Sequence, residues 1–564
     1  MDFKMVKISD ETNINRIEHK SKKNMALGAI IGYLAILVSI VHGVVLTPIV
    51  TMYVGIDNYG LYGIATTIIA LFLLDLGLGT VTETYLSKLR AAGDKDSVQR
   101  FLSTIFKIYL VLTAICLIIV GVIYFLSPYL YKSSYSQEQI SMLQNLILIV
   151  GGYALVSFPT NTFSSVITVY EKFGFNKTAD LVQKLIYLGL TIAAVKLNWG
   201  LIGVTAVNAG SGIVAIIMRY LYMRLYLGVK LDLRLKFKGT RSELKSILVF
   251  SAWGIVIALL TRLVFNITPS ILGMVSSSDQ VTKFMYVNTI EGYVYMFGAM
   301  TATFFMAKVA RVESTGTPEE KREKLLALAK KVGKLQFVVI ALIIFGFATV
   351  GREFISFWLK DILVESPDFS SIYWCILAVV AYEIVHIPEL PIYNAMLTEG
   401  HIKPLAINTI IKATINVGLS FVLSSYYGAN GACLAIAIAR VADLILNNFA
   451  YRKYLGINLG EFFSFVYIKG AIVIAISFGI GLLTHFFMPI DNLPLKFTIN
   501  GVIFVVIFSL SVLYILFSKE ERKYYINQIL ILLHIRKDVS TEKPKEETTE
   551  ESEKKEEIKS GEEN

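Results

Sequence analysis

Reactive side chains are scarce in this chain. It holds three cysteines and six histidines in 564 residues. Only 17% of its residues are charged, where a water-soluble domain carries about 25%. Cys116, Cys375 and Cys433 lie far apart in apolar stretches. They form neither a disulfide framework nor a Cys/His zinc spacing, and read as small core residues. There is no HExxH and no Walker loop. One Glu-x-x-His occurs, Glu383 to His386, but a di-iron bundle needs two such motifs and further glutamates. No cofactor, no metal and no intrinsic ATPase is expected, and an enzyme is not.

Apolar length is what the chain has in quantity. Hydrophobic residues make up 55% of it and the mean hydropathy is +0.62. Runs of about twenty apolar residues recur, each able to cross a hydrocarbon core of about 30 Å. The class is an all-α polytopic membrane protein. Fourteen spans are expected, at 25–49, 58–81, 102–127, 142–166, 179–197, 201–222, 247–270, 281–306, 335–358, 371–396, 405–426, 430–449, 465–488 and 496–518. Gly77-Leu78-Gly79 follows an apolar helix and not a strand, which excludes a dinucleotide turn. No cleavage site follows the polar first residues, so the first span is expected to stay as an uncleaved helix.

Lys and Arg orient the spans. With a cytoplasmic N-terminus, the inner segments hold Lys20, Lys22 and Lys23, then Lys88, Arg90 and Arg100, then five cations from Lys230 to Arg241 and five from Lys321 to Lys331. The outer loops hold little beyond Lys132, Lys360 and Lys496. This is the positive-inside asymmetry, and both termini are expected in the cytoplasm. The net charge of +10 is therefore an orientation signal, and no nucleic-acid partner is expected.

The chain also resembles itself. Gly200 and Gly203 open the sixth span as Gly428 and Gly431 open the twelfth. Arg224, Tyr226, Leu227, Gly228 and Leu231 match Arg452, Tyr454, Leu455, Gly456 and Leu459. Lys184 pairs with Lys412, Pro159 with Pro388, and Thr47-Pro48 with Thr268-Pro269. Six spans per repeat is an even number, so the two repeats face the same way. The expected organisation is an N-terminal segment (1–24), an N-lobe (25–226), a linker (227–246), a C-lobe (247–456), two added helices (457–518), an interfacial helix (519–536) and a disordered acidic tail (537–564).

Three stretches carry a family resemblance: "NYGLYGIATTIIALFLLDLGLGTVTETYLSKLRAAGD" (58–94), "SFPTNTFSSVITVYEKF" (157–173) and "NITPSILGMVSSSDQVTKFMY" (266–286). The chain resembles, over roughly residues 20 to 520, the Wzx-type polysaccharide-export flippases of the MOP superfamily, to which lipid II flippases and MATE exporters also belong. Fourteen helices fit the flippase branches, whereas MATE relatives usually have twelve. The resemblance implies a bacterial cytoplasmic-membrane protein that moves a polyprenyl-pyrophosphate-linked oligosaccharide between leaflets by alternating access. Membrane lipid, a coupling H+ or Na+, and other polysaccharide-assembly proteins are the implied partners. A MATE-like cation exporter is the first rival; its cavity should present carboxylates. A scaffold or polymerase subunit of the same envelope pathway is the second.

Such a cargo needs a polar, cationic cavity, and charges inside spans usually face the bundle interior. His42 and Arg262 precede the two Thr-Pro markers by five and six residues, so they are near-equivalent; the first and seventh helices line the cavity in the family. Arg262 suits phosphate bidentately, with a snorkel to the outer interface as the alternative. Lys184 and Lys412 are the matched cations; inward snorkelling is the alternative for both. Arg440 and Asp443, one turn apart, are expected to neutralise each other on one helix. Trp253, Tyr293 and Tyr295 are candidates for sugar stacking, while Trp199, Trp358 and Trp374 sit at span ends as interface anchors. Glu383, His386, Glu389 and Glu291 are the ion-coupling candidates, the first three beside Pro388 and Pro391, which are expected to break the tenth span. Asp75, Gly79, Thr82 and Glu83 share one helix face; Asp75 and Glu83 are the gate candidates, with a locally paired helix-end carboxylate as the alternative.

Overall fold

A computed structural model describes residues 34–70, 78–91, 93, 95–234, 266–313 and 317–532. Among these there is no strand. The helices are α1 (Leu34–Val54), α2 (Ile56–Ala70), α3 (Leu78–Ala91), α4 (Lys95–Tyr131), α5 (Gln137–Val169), α6 (Phe173–Lys196), α7 (Gly200–Leu225), α8 (Thr268–Val275), α9 (Ser278–Glu313), α10 (Pro318–Trp358), α11 (Lys360–Glu365), α12 (Ile372–Val380), α13 (Glu383–Thr398), α14 (Ile402–Tyr454), α15 (Leu459–Phe463), α16 (Lys469–Phe487), α17 (Leu493–Ser511) and α18 (Lys519–Leu532). The chain is a multi-pass membrane protein.

Local signals in the sequence start several of these helices. Ser136 and Gln139 form a capping box ahead of α5, with bonds of 3.3 and 2.9 Å, which satisfies donors the helix cannot use itself. Thr317 caps α10, with Pro318 at its first position, where a missing N–H is harmless. Prolines inside helices expose carbonyls, and neighbours take them up. Pro128 frees Tyr124 O, which accepts from Gln144 Nε2 (3.1 Å) and Ser127 Oγ (2.8 Å). Pro388 frees Ile384 O, which accepts from Tyr467 Oη at 3.3 Å.

Ten helices among the described residues are long and apolar enough to cross a membrane, against fourteen expected. One cause is that α14, with 53 residues, contains two of the expected spans. Asn408 Nδ2 donates to Asn447 Oδ1 at 2.9 Å; along a straight helix those residues would stand about 58 Å apart. The chain therefore folds back on itself, at Gly428 (φ 55°, ψ −134°). The repeat-matched glycines share this left-handed backbone: Gly200 and Gly428 at +66° and +55°, Gly228 and Gly456 at +67° and +63°. The tenth span keeps helical dihedrals through Ala381 and Tyr382, where its bonding tightens: Ile384 N donates to Ala381 O at 3.3 Å and Val385 N to Tyr382 O at 3.1 Å. Pro388 and Pro391, expected to break this span, lie inside α13.

Helices α2 to α7 pack among themselves, as do α8 to α14, while α16 and α17 pack on α10 and on each other. The "proximal" face carries the α5–α6, α7 and α13–α14 loop ends; the "distal" face carries the α1–α2, α4–α5 and α8–α9 loops. In the distal half one apolar core joins both groups, running from Val50, Tyr59 and Leu143 to Val281, Ile355 and Ile372. In the proximal half there are two separate cores. One centres on Phe101, Tyr109 and Phe158, the other on Phe337, Tyr451 and Phe462. Hydrogen bonds between the groups follow the same division. They include Ser278 Oγ to Asp57 O (2.5 Å), Thr282 Oγ1 to Ile56 O (2.5 Å) and Tyr286 Oη to Thr51 Oγ1 (2.9 Å). Among the described residues the groups are sutured distally and have separate cores proximally.

Candidate functional site

The deepest suture is at α1. Tyr293 Oη, on α9, donates to Ser39 O at 2.7 Å. Gly43 makes the approach possible: a Cβ there would lie 1.8 Å from Tyr293 Oη. Beside this contact lies a cavity of about 210 Å³, walled by α1, α2, α6 and α7 of the first group and by Thr289 and Tyr293 of α9. Its polar wall is Thr47, Tyr59, Tyr62, Tyr187, Asn208 and His42. Asn208 Nδ2 donates to Tyr62 Oη (2.9 Å), which meets Tyr187 Oη at 3.5 Å. The His42 ring lies 4.5 Å from that of Tyr187, and its buried Nε2 has no hydrogen-bond partner. The wall presents hydroxyls, an amide, an imidazole and aromatic faces, with no carboxylate among the described residues.

A second polar centre is buried in the other group. Arg440 pairs with Glu291 and donates from Nη1 to Val379 O at 2.7 Å. Lys412 Nζ pairs with Asp443 Oδ2 at 2.9 Å, and Tyr382 Oη donates to the same oxygen at 2.6 Å. That uses the tyrosine's only proton, so its 3.0 Å contact with His386 Nδ1 makes His386 the donor there. The Tyr382 ring lies 5.3 Å from the Arg440 guanidinium and 5.9 Å from the Lys412 ammonium, in cation–π range. Glu383 is fully buried, and neither of its carboxyl oxygens has a partner. Glu291 and Tyr293 stand two residues apart on α9. That helix therefore carries one side chain into the charge cluster and another to the cavity and its suture.

The structure distributes the expected residues unevenly. His42 and Tyr293 meet at the cavity. Tyr295, two residues along α9, is 37% exposed and does not line it. Lys184 Nζ reaches α1 instead of the cavity, bonding Ala35 O at 3.1 Å and Ser39 Oγ. Lys412, expected as a cavity cation, is bound to Asp443 in the charge cluster. The expected Arg440–Asp443 pair is not formed: each reaches across to another helix segment, Arg440 to α9 and Asp443 to the other arm of the α14 hairpin. Glu291, Glu383 and His386 come together. Glu389 lies apart and accepts from Asn448 Nδ2 at 2.9 Å. Glu83 is half-buried on α3, away from the cavity. Arg262, Trp253 and Asp75 lie outside the described residues. Sequence reasoning passed over Tyr62, Tyr187, Asn208 and Tyr382. Asn208 gave a signal, since an amide in mid-span needs a partner.

Residues 26–305 match the family described as polysaccharide biosynthesis protein. No curated protein matches the sequence. Among solved structures the chain is similar to the lipid II flippase MurJ in an inward closed conformation, with a TM-score of 0.67 and 15% identity over 91% of this chain and 100% of that one. It is similar to an inward-facing multidrug resistance MATE family transporter of the MOP superfamily (TM-score 0.57, 15% identity, 76% of this chain and 98% of that one). A MOP superfamily transporter from Pyrococcus furiosus gives a TM-score of 0.55 at 15% identity, over 77% of this chain and 96% of that one. At these identities the likeness is one of fold.

Proposed function

We propose, for a chain that over residues 26–305 belongs to the polysaccharide biosynthesis protein family, that it flips a polyprenyl-pyrophosphate-linked oligosaccharide from the cytoplasmic to the outer leaflet. The observation that carries this reading is the cavity between the two helix groups, with walls from both. A sugar head crossing hydrocarbon needs hydroxyl and amide partners and aromatic faces, and the wall from His42 to Tyr293 offers these. Distal suture with proximal separation is the arrangement for loading from the proximal side. The Lys and Arg distribution makes that side cytoplasmic, in the bacterial inner membrane. The two groups then act as lobes that rock about α9 to expose the cavity alternately.

The pyrophosphate is assigned to cations on the proximal side of the cavity. Lys184 bonds α1 one turn proximal to His42; Arg262, outside the described residues, is assigned to the same cargo group only from its sequence equivalence to His42. A cation exporter's cavity would present carboxylates, and none lines this one among the described residues. The driving force is assigned to a cation gradient acting at Glu383, Glu291 and His386, and α9 is the element that transmits it.

Reconstitution tests the reading. Purified full-length protein in vesicles carries fluorescent polyprenyl-pyrophosphoryl-N-acetylhexosamine, and probe accessibility to an external sugar-modifying reagent is followed. Accelerated leaflet exchange, lost in Lys184→Ala and Arg262→Ala, is expected. Exchange no faster than in protein-free vesicles overturns the assignment. Exchange that survives loss of both cations removes the pyrophosphate site.

A further inference from the structure

We infer that Glu383 carries one exchangeable proton, and that the cluster around it accepts a proton and not a metal cation. The inference rests on the cation-coupled reading above and decides which cation acts.

Charge balance comes first. Among the described residues the charged groups within electrostatic reach of Glu383 are Arg440, Glu291, Lys412 and Asp443, from α9 and both arms of α14. They already cancel in two pairs, Arg440 with Glu291 and Lys412 with Asp443. His386 and Tyr382, on its own stretch of chain, are committed to each other and to Asp443. An ionised Glu383 would add one uncompensated charge at a position with no exposure to solvent. An isolated buried carboxylate neutralises by taking up a proton instead. Protonation leaves the whole cluster neutral.

The carboxylate supply favours a proton. Hard metal cations take about six oxygen ligands, carboxylates and carbonyls together. Glu291 Oε1 is held by Arg440, and Asp443 Oδ2 by Lys412 and Tyr382. The unclaimed carboxylate oxygens of Glu383 and Asp443 are three: Glu383 Oε1, Glu383 Oε2 and Asp443 Oδ1. A metal ion there would find three unclaimed carboxylate oxygens and would face the two fixed positive charges of Arg440 and Lys412. A proton needs one oxygen.

The position also gives the proton something to do. Glu383 opens α13 directly after the tightened turn at Ala381–Tyr382, and Arg440 holds Val379 O just before that turn. Losing the proton makes Glu383 a competitor of Glu291 for Arg440. Moving Arg440 from Glu291 to Glu383 releases α9, the helix that sutures the two groups.

The test is spectroscopic and needs no transported lipid. Infrared difference spectra of the full-length protein in lipid nanodiscs are recorded between mildly acidic and alkaline buffer. Sodium chloride is compared with choline chloride at each pH. A protonated-carboxyl stretch is expected in the wild type, lost in Glu383→Gln, returned at a shifted frequency in Glu383→Asp, and kept in Glu389→Gln. Sodium is expected to leave both the band and the unfolding temperature unchanged. A band indifferent to Glu383→Gln overturns the inference. So does sodium that erases the band or raises the unfolding temperature in the wild type, a measurement that holds even if Glu383→Gln does not fold. A protein that passes these tests but moves no lipid-linked sugar refutes the flippase reading alone. One that moves sugar without a Glu383-dependent band refutes the proton site alone.

Discussion

Lys184 and Lys412 occupy matching places in the internal repeat, and they end in different chemistry. Lys184 meets a carbonyl and a hydroxyl on α1, beside a cavity walled by tyrosines, threonines, an asparagine and a histidine. Lys412 meets a carboxylate in a cluster whose charges are paired. Among the described residues the cavity wall in the first group is neutral and polar, with Lys184 beside it. The second has a charged interior with its fixed charges cancelled. A wall of hydroxyls and an amide can bond the sugar part of a cargo without fixing a counter-charge against it. A set of buried ion pairs can be rearranged by adding or removing one charge. The asymmetry therefore separates where cargo would sit from where a driving ion would act, and α9 touches both.

The largest way to break this contrast is to remove one member of a buried pair. Arg440→Ala leaves Glu291 charged without a partner, and a loss of about 3–5 kcal/mol of unfolding free energy is expected. Arg440→Met combined with Glu291→Gln should recover most of it. Denaturant titration in mixed micelles measures both, and a double variant as unstable as the single would deny that the pair is a closed unit.

Comparing the matched lysines sharpens the contrast directly. Lys412→Met should cost about 2–3 kcal/mol, since a buried carboxylate loses its charged donor, against about 1 kcal/mol for Lys184→Met, whose partners are neutral. Equal losses would mean that the two environments differ less than their geometry. The suture comes next. Gly43→Ala drives a methyl into Tyr293 Oη, and overpacking of this kind costs about 1–2 kcal/mol. The more specific readout is a disulfide between Asp57→Cys and Ser278→Cys, whose yield should fall several-fold when Gly43→Ala is added. An unchanged yield would show that α9 does not hold the distal face shut.

The smallest effect lies outside both interiors, where Lys334 Nζ ties α10 to Glu521 of α18 at 2.5 Å. Burial pushes the Glu521 carboxyl up, but the bonds from Lys334 and Ser518 pull it down further, so it titrates below the usual Glu range. A lowered carboxyl contributes stability above its unfolded pKa and loses it as pH falls through the folded value. Protection of the α18 amides against hydrogen exchange should therefore decline on the acid side of the ordinary Glu range. Lys334→Met should flatten that decline.

Apolar run length marked the membrane class and the long helices found among the described residues, ten of them able to cross against fourteen expected, because a bilayer sets how many residues a crossing needs. Repetition of Gly200 with Gly428 and of Gly228 with Gly456 marked matching turns, because only glycine adopts that backbone without strain. Buried charge was legible too: Glu291, Glu383, Lys412, Arg440 and Asp443 stand out from apolar sequence. Their partners were not legible. Arg440 and Asp443 are one turn apart and look like a pair along the chain. Only when α14 doubles back at Gly428 does Asp443 meet Lys412, and only when α9 packs alongside does Arg440 meet Glu291. The cavity needed the same step, since its wall comes from five helices and Gly43 matters only because Tyr293 arrives there. Sequence periodicity fixes which residues enter the membrane. Which of them face one another depends on how each helix is rotated and what lies beside it, and packing in three dimensions decides that.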